Sequence, residues 1–175
     1  MADKIRVMIT EEELTAKIRE IAEQIKKDYE GNTLQLVCIL KGSVFFACDL
    51  AKMLDMDVRL DFMTVSSYGG GTESTGAVKI KKDLDHHIEG KHVLIVEDII
   101  DSGNTLSALV PMLKLRNPAS IEIATLLDKP SRRVKHDVTV KYTCFKIPDE
   151  FVVGYGLDYD QKYRNLPYIG VVEQG

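Results

Sequence analysis

Residues 93–106 read VLIVEDIIDSGNTL. An aliphatic run leads into Glu97 and Asp98, then two isoleucines, then Asp101 and a Ser102-Gly103-Asn104-Thr105 turn. Ionised carboxylates are costly inside a protein, so three of them at the tip of an apolar strand point to chemistry. A turn of small residues running into a helix presents successive backbone N–H groups, and with the helix N-terminus these form an anion cradle. Ser102 and Thr105 add hydroxyl donors. The G-x-x-x-x-G-K-[ST] pattern of nucleoside-triphosphate loops is absent, so a terminal phosphate monoester fits better. Taken alone, the turn is equally well a plain helix cap. The acids change that balance. Adjacent carboxylates on a polar loop at a sheet edge accept hydrogen bonds from a sugar diol, or help hold a hard divalent cation. A phosphate cradle a few residues beyond diol acceptors has the outline of a ribose 5-phosphate.

Rigid elements must hold these groups. Residues 92–98 read as a strand, and Thr105 to Arg116 as a helix in which Pro111 invites a kink. LQLVCIL (34–40) is a short apolar run, read as a buried strand, and a helix follows from Ser43. Residues 57–68 alternate Val58, Leu60, Phe62 and Thr64, which predicts a strand covered on one face or lying at an edge. AVKIKKD (77–83) is a further short strand; SIEIATLLD (120–128) and KYTCFKI (141–147) are two more. Near the start, Thr10 caps a helix with Glu13 as its capping-box partner, Leu14, Ile18, Ile21 and Ile25 share one face, and Gly31 lies beyond its end. YGGGTESTG (68–76) is too rich in glycine for regular structure. The tail is aromatic and loop-like with short extended pieces. Alternating strands and helices predict an α/β domain with a mostly parallel central sheet and right-handed crossovers. Ligands of such sheets bind beyond the carboxyl ends of the strands. Lys41-Gly42, Glu97-Asp98-Asp101 and Lys129 all fall there.

The bulk numbers narrow the class. With 175 residues, 45% hydrophobic and 29% charged, the chain has the balance of one globular domain. A net charge of -4 gives no support to a nucleic-acid surface. Cys38, Cys48 and Cys144 are widely spaced in apolar settings, which fits reduced core thiols and neither a disulfide framework nor a zinc site. The charged start does not suit a signal peptide, and no apolar run approaches the roughly 20 residues of a membrane helix. A cytoplasmic protein without nucleic-acid or membrane partners is the expectation. His86 and His87 beside Asp83 and Asp85 hint at a metal, but KKDLDHHIEGK reads better as a polar connector.

The VLIVEDIIDSGNTL segment resembles the phosphoribosyl-pyrophosphate motif of type I phosphoribosyltransferases. LKGSVFF, SSYGGGTESTG, LLDKPSRR and IPDEFVVGYGLDYDQKYRNLPYIGVV resemble, in order, segments of the hypoxanthine-guanine phosphoribosyltransferases of bacteria. The likeness runs from about Leu34 onward. It implies one phosphoribosyltransferase domain over 1–175: a mostly parallel sheet flanked by helices, a flexible lid loop, and a small hood. The hood would come mainly from about 148–175, with N-terminal contributions.

The implied reaction joins a 6-oxopurine to the anomeric carbon of phosphoribosyl pyrophosphate through an oxocarbenium-like transition state. By the same resemblance Glu97 and Asp98 face the ribose hydroxyls near Mg2+, and Asp101 is the general base toward the imidazole ring. Ser102, Gly103, Asn104 and Thr105 bind the 5-phosphate, Asn104 through its backbone. Lys41 and Gly42 receive pyrophosphate, with a Leu40-Lys41 peptide that can be cis, helped by Ser67, Tyr68 and Arg164. Lys129 donates to the 6-oxo group, Phe151 stacks on the purine, and Val152 reads the base edge with its main chain. Asp158 serves the guanine amino group through its carbonyl and a second Mg2+ through its carboxylate. A homodimer or homotetramer is implied as well.

Other readings are a receiver domain and a phosphoribosyltransferase-fold regulator that binds the sugar substrate or RNA. A receiver places its acids on the first strand, and here about 90 residues precede them. The purine-side residues Lys129, Phe151 and Asp158 favour an enzyme over a regulator. Preference among hypoxanthine, guanine and xanthine stays open at this stage.

Overall fold

The structure, a computed structural model, describes residues 3–67 and 77–173. Its elements run β1 (Lys4–Ile9), α1 (Glu11–Asp28), β2 (Leu34–Ile39), α2 (Val44–Met53), β3 (Val58–Ser67), β4 (Val78–Lys82), β5 (His92–Ile100), α3 (Asn104–Lys114), β6 (Ser120–Asp128), β7 (Tyr142–Lys146), β8 (Val152–Val153) and β9 (Ile169–Glu173). A 3-10 turn, Pro130–Arg132, follows β6.

The apolar runs become the middle of a six-stranded sheet in the order β4-β3-β2-β5-β6-β7. All its pairings are parallel except β3 with β4. Every residue of β2 is buried, as expected for a strand covered on both faces. On one face α1 and α2 bring Leu14, Ile18, Ile25, Phe46 and Leu50 onto Leu36, Leu94 and Leu126. On the other, Leu106, Leu109 and Leu113 of α3 pack on Val37, Ile95 and Ile123. The α1 start is as read: Thr10 Oγ1 accepts the Glu13 N–H at 3.2 Å, and Glu11 to Glu13 favour the positive end of the helix. Helix α3 continues past Pro111 to Lys114, giving up one internal donor.

The chain order matters for the site. From β2 the connection through α2 runs to β3 on one side, and from β5 the connection through α3 runs to β6 on the other. The adjacent strands β2 and β5 therefore flank the topological switch point, where open α/β sheets bind ligands.

Three features differ from the sequence reading. The short extended pieces of the tail, β8 and β9, join β1 in a second, antiparallel sheet of order β1-β9-β8 that was not foreseen. The charged start, for which no strand was read, supplies the first strand of that sheet. Its partner lies at the other end of the chain, with Ile5 opposite Val172, so no local pattern marks it. Third, β3 lies inside the sheet, and its buried face carries Asp61 and Met63 while Leu60 is 42% exposed. The apolar alternation pointed to the opposite face. An acid reaches the covered side because backbone donors await it: Asp61 accepts the N–H groups of Phe62, Asp85 and His86 at 2.8, 3.0 and 3.2 Å.

Asp61 thereby ties β3 to the turn before β5. Replacing it with alanine leaves those N–H groups unpaired. The expected cost is about 2 kcal/mol of unfolding free energy, with the midpoint in urea lowered at unchanged slope.

Candidate active site

Strand β5 is the element that matters most. It carries Glu97 and Asp98 within the strand, not on the loop beyond it, and at the centre of the sheet, not at its edge. Glu97 is only 8% exposed. The pairing of Glu97 with Thr125 of β6 continues the ladder past the apolar run, which is why the acids are buried. Burial raises the Glu97 carboxyl well above its ordinary 4.5, and the neighbouring Asp98 charge pushes it further. Burial also raises Asp98, while its hydrogen bond with Glu97 pulls the other way. Two adjacent carboxylates with so little water hold a proton more firmly than either would alone.

Two glycines bring other backbones onto this pair. A Cβ on Gly42 would lie 1.7 Å from Asp98 Oδ2, so only glycine lets the Lys41-Gly42 loop rest there. The Leu40-Lys41 peptide entering that loop is cis. Gly156 sits at φ +103, and a Cβ on it would lie 2.1 Å from the Gly42 carbonyl oxygen. The C-terminal segment thus rests on the β2 loop, which rests on β5.

A cleft of about 320 Å³ opens at this junction. It is lined by Lys41, Gly42, Glu97, Asp98, the run from Asp101 to Thr105, Asp158 and Arg164. Asp101 accepts the Ser102 N–H on Oδ1 at 2.5 Å, and Ser102 Oγ accepts the Asn104 N–H at 3.3 Å. Gly103, at φ +83, turns the chain into α3. The first N–H groups of a helix have no internal acceptor, so the cradle predicted for an anion opens into the cleft. Arg164 donates to the Gly156 carbonyl at 2.7 Å and to Gln161 Oε1 at 3.1 Å, and it lies 3.3 Å from Asp158. Lys41 Nζ approaches the same Gln161 oxygen at 3.4 Å. One amide therefore gathers both cations on one wall.

The remaining expected residues stand outside that lining. Lys129 hangs beside it: its backbone N–H donates to the Ile100 carbonyl at 2.8 Å, and its Nζ lies 3.7 Å from Asp149. Phe151 is 53% exposed and meets Tyr159 edge-on at 5.5 Å, so it is a surface ring and not a core one. Val152 is buried, paired with Val171 in the small sheet. Ser67 ends β3, exposed and two residues past Val65, which does line the cleft. Tyr68 and the rest of the expected lid, 68–76, lie outside the described residues. Gln161, Tyr159 and Gly156 were not foreseen. Gln161 and Gly156 sit in left-handed backbone and reach Lys41 and Gly42 far back in the chain, while Tyr159 meets Phe151 only eight residues away.

Among the described residues no basic side chain is salt-bridged to the buried Glu97 or the half-buried Asp98. That suits a hard cation, which binds through one or two carboxylates and takes its other ligands from water and substrate phosphate. Asp158 is already engaged by Arg164 and by the Gln161 N–H at 2.8 Å. Among the described residues no three acids, histidines or cysteines close into a cage, Asp83 and the nearby histidines included. A larger hollow of about 580 Å³ lies at the opposite end of the sheet, with a mixed-charge rim that includes Lys26, Glu30 and Asp57. It faces the amino ends of the strands, opposite the end at which open α/β sheets bind their ligands. Among the described residues no helix is long and apolar enough to cross a membrane.

Comparison with known proteins finds relatives over nearly the whole chain. The family model of the phosphoribosyl transferase domain matches residues 8–160. A hypoxanthine-guanine phosphoribosyltransferase of Staphylococcus aureus is 54% identical over 171 residues, covering 98% of this chain and 95% of that one. One from Streptococcus thermophilus is 51% identical over 169 residues, covering 97% and 93%. Among solved structures, a hypoxanthine phosphoribosyltransferase of Staphylococcus aureus superposes with a TM-score of 0.93 at 54% identity, over 96% of this chain and 91% of that one. A hypoxanthine-guanine phosphoribosyltransferase of Bacillus anthracis, with a HEPES molecule in its active site, gives 0.93 at 50% identity, over 97% and 100%.

The buried acids carry a pH signature. Folded Glu97 binds its proton more tightly than the unfolded chain does. Stability from this site is therefore complete below the ordinary value of 4.5 and is lost as pH rises through the raised folded value. Unfolding free energy of the ligand-free protein should fall as pH rises above the ordinary carboxyl value of 4.5, and Glu97→Gln should flatten that slope in urea titrations.

Proposed function

The chain belongs to the phosphoribosyl transferase family, and we propose that it salvages purines. It transfers the 5-phosphoribosyl group of phosphoribosyl pyrophosphate to hypoxanthine and guanine, giving IMP or GMP and pyrophosphate. The observation that carries this is the cleft at the switch point, where the buried Glu97, the half-buried Asp98, an anion cradle and two cations line one space of about 320 Å³.

The roles follow from the chemistry each group offers. The N–H groups and hydroxyls of Ser102 to Thr105 hold the 5-phosphate at the start of α3. Glu97 and Asp98 accept from the ribose hydroxyls, and their negative field suits the cationic sugar that forms as the anomeric bond breaks. Lys41, the Gly42 backbone and Arg164 take the pyrophosphate as its charge grows; a planar guanidinium suits that task. Asp101 removes the proton from the imidazole nitrogen that attacks the sugar. Lys129 donates to the 6-oxo oxygen, Phe151 stacks on the ring, and Val152 and Asp158 meet the base edge with main-chain groups. Ser67 and Tyr68 close over the pyrophosphate side and exclude water. Mg2+, when bound, neutralises pyrophosphate charge, and Glu97, Asp98 and Asp158 are the residues that would hold it. A cytoplasmic homodimer or homotetramer completes the reading. The relatives' names give no support to an RNA-binding regulator.

Spectrophotometric nucleotide formation from phosphoribosyl pyrophosphate tests this with hypoxanthine, guanine, xanthine and adenine, with and without Mg2+. The first two should turn over and adenine should not. Absence of product from every purine would end the reading. Asp101→Asn should lower kcat about 100-fold or more while nucleotide binding persists. Lys129→Met should lower kcat/KM for hypoxanthine about 10-fold or more and narrow its margin over adenine, because a buried donor no longer rejects the 6-amino group.

A further inference from the structure

The loop bearing Asp101 does not hold itself. Residues 133–135, just beyond the 3-10 turn after β6, lie against it. Arg133 Nε donates to the Asp101 carbonyl at 3.0 Å. The same guanidinium pairs through Nη2 with Asp128, the last residue of β6. Both side chains are largely buried, at 16% and 11% exposure. Next to Arg133, the N–H groups of Val134 and Lys135 both donate to the Ser102 carbonyl at 2.9 Å. The fit is close: a Cβ on Gly103 would lie 3.1 Å from the Lys135 carbonyl oxygen and 3.3 Å from Arg133 Cδ.

One peptide plane joins these facts. The Asp101–Ser102 peptide is planar, so its carbonyl and its N–H point in opposite directions as one rigid unit. Arg133 holds the carbonyl, and the N–H is the group that Asp101 Oδ1 accepts at 2.5 Å. Fixing one end of the plane fixes the donor that orients the carboxylate. The reference point is firm, because Asp128 pairs with Ile100 in the β5–β6 ladder and Lys129 is tied to the Ile100 carbonyl.

We propose that Arg133 is a positioning residue: by clamping the Asp101 carbonyl to the end of β6, it aims the Asp101 carboxylate and sets its separation from Lys129. This rests on the reading of Asp101 as the base. An arginine is required because two acceptors of different kinds, a carbonyl and a carboxylate, must be met at once by a planar fork. A lysine ammonium is a single flexible point. Arg133 itself touches no reacting atom.

The test compares wild type with Arg133→Met, Arg133→Lys and Arg133→Ala in steady-state kinetics with hypoxanthine, alongside thermal unfolding of each. The expected result is a kcat lower by about 10- to 100-fold in all three, with KM for hypoxanthine changed less than about threefold. Methylguanidinium added to Arg133→Ala should recover part of the kcat. A purely structural role would instead lower melting temperature and active fraction together, with no rescue, and would overturn the proposal; so would unchanged kcat. If Met and Ala fail to fold, Arg133→Lys decides: wild-type kcat in that variant overturns the proposal, and a lowered kcat at wild-type KM upholds it. Wild-type enzyme without turnover would sink the functional reading itself, whereas active wild type with indifferent Arg133 variants sinks only the clamp.

Discussion

Backbone stacked on carboxylate is the contact from which this architecture hangs. Gly156 lies on the Gly42 carbonyl, and Gly42 lies on Asp98, each without room for a methyl group. Three parts of the chain that share no sequence neighbourhood meet there: the C-terminal segment, the loop after β2 and the end of β5. The cleft exists because those parts come this close. Arg164 and Asp158 enter it from the C-terminal segment, Lys41 from the β2 loop, and the acids from β5. Tyr155, the residue before Gly156, adds a hydrogen bond from its hydroxyl to Asp49 of α2, which anchors the same segment to the body of the sheet.

The sheet supports an unfavourable arrangement at this point. Strand β5 is apolar and fully buried from Val93 to Val96, and its ladder to β6 carries on through the acids. Apolar packing from both faces holds the strand in register, and Glu97 stays paired with Thr125 of β6. Strain of this kind persists only where the surroundings over-determine it. A cationic partner, whether a metal or a sugar carrying positive charge, relieves what the protein alone does not.

Much of this was legible in the sequence, for local reasons. The capping box at Thr10, the apolar runs of β2, β5 and β6, and the acids followed by a small-residue turn all depend on neighbours within a few positions. They gave the α/β alternation and put Lys41, Glu97, Asp98 and Asp101 on the same edge. What escaped depends on distance in the chain. Strand β1 is short and charged, and it is a strand because β9 lies beside it. The face of β3 was inverted because Asp61 finds its donors at Asp85 and His86. Gln161 and Arg133 look like ordinary polar residues until the fold brings Lys41 and Asp101 to them. Phe151 carried a signal only through resemblance, Lys129 also through its place after β6, and both stand outside the lining of the cleft.

The pairing of β1 with β9 also has a bearing on how such a chain is made. A ribosome releases Lys4–Ile9 early, while Ile169–Glu173 is still untranslated. Until synthesis reaches the far strand, the early one has an open edge and no partner, whereas β2 to β7 can already assemble around their own core. The second sheet is thus a late closure of very long sequence separation, the kind of contact that slows folding and leaves an edge exposed in the meantime. Because β8, Gly156 and Arg164 are made after β2 to β7, the segments that build the large sheet leave the ribosome before those that complete the cleft.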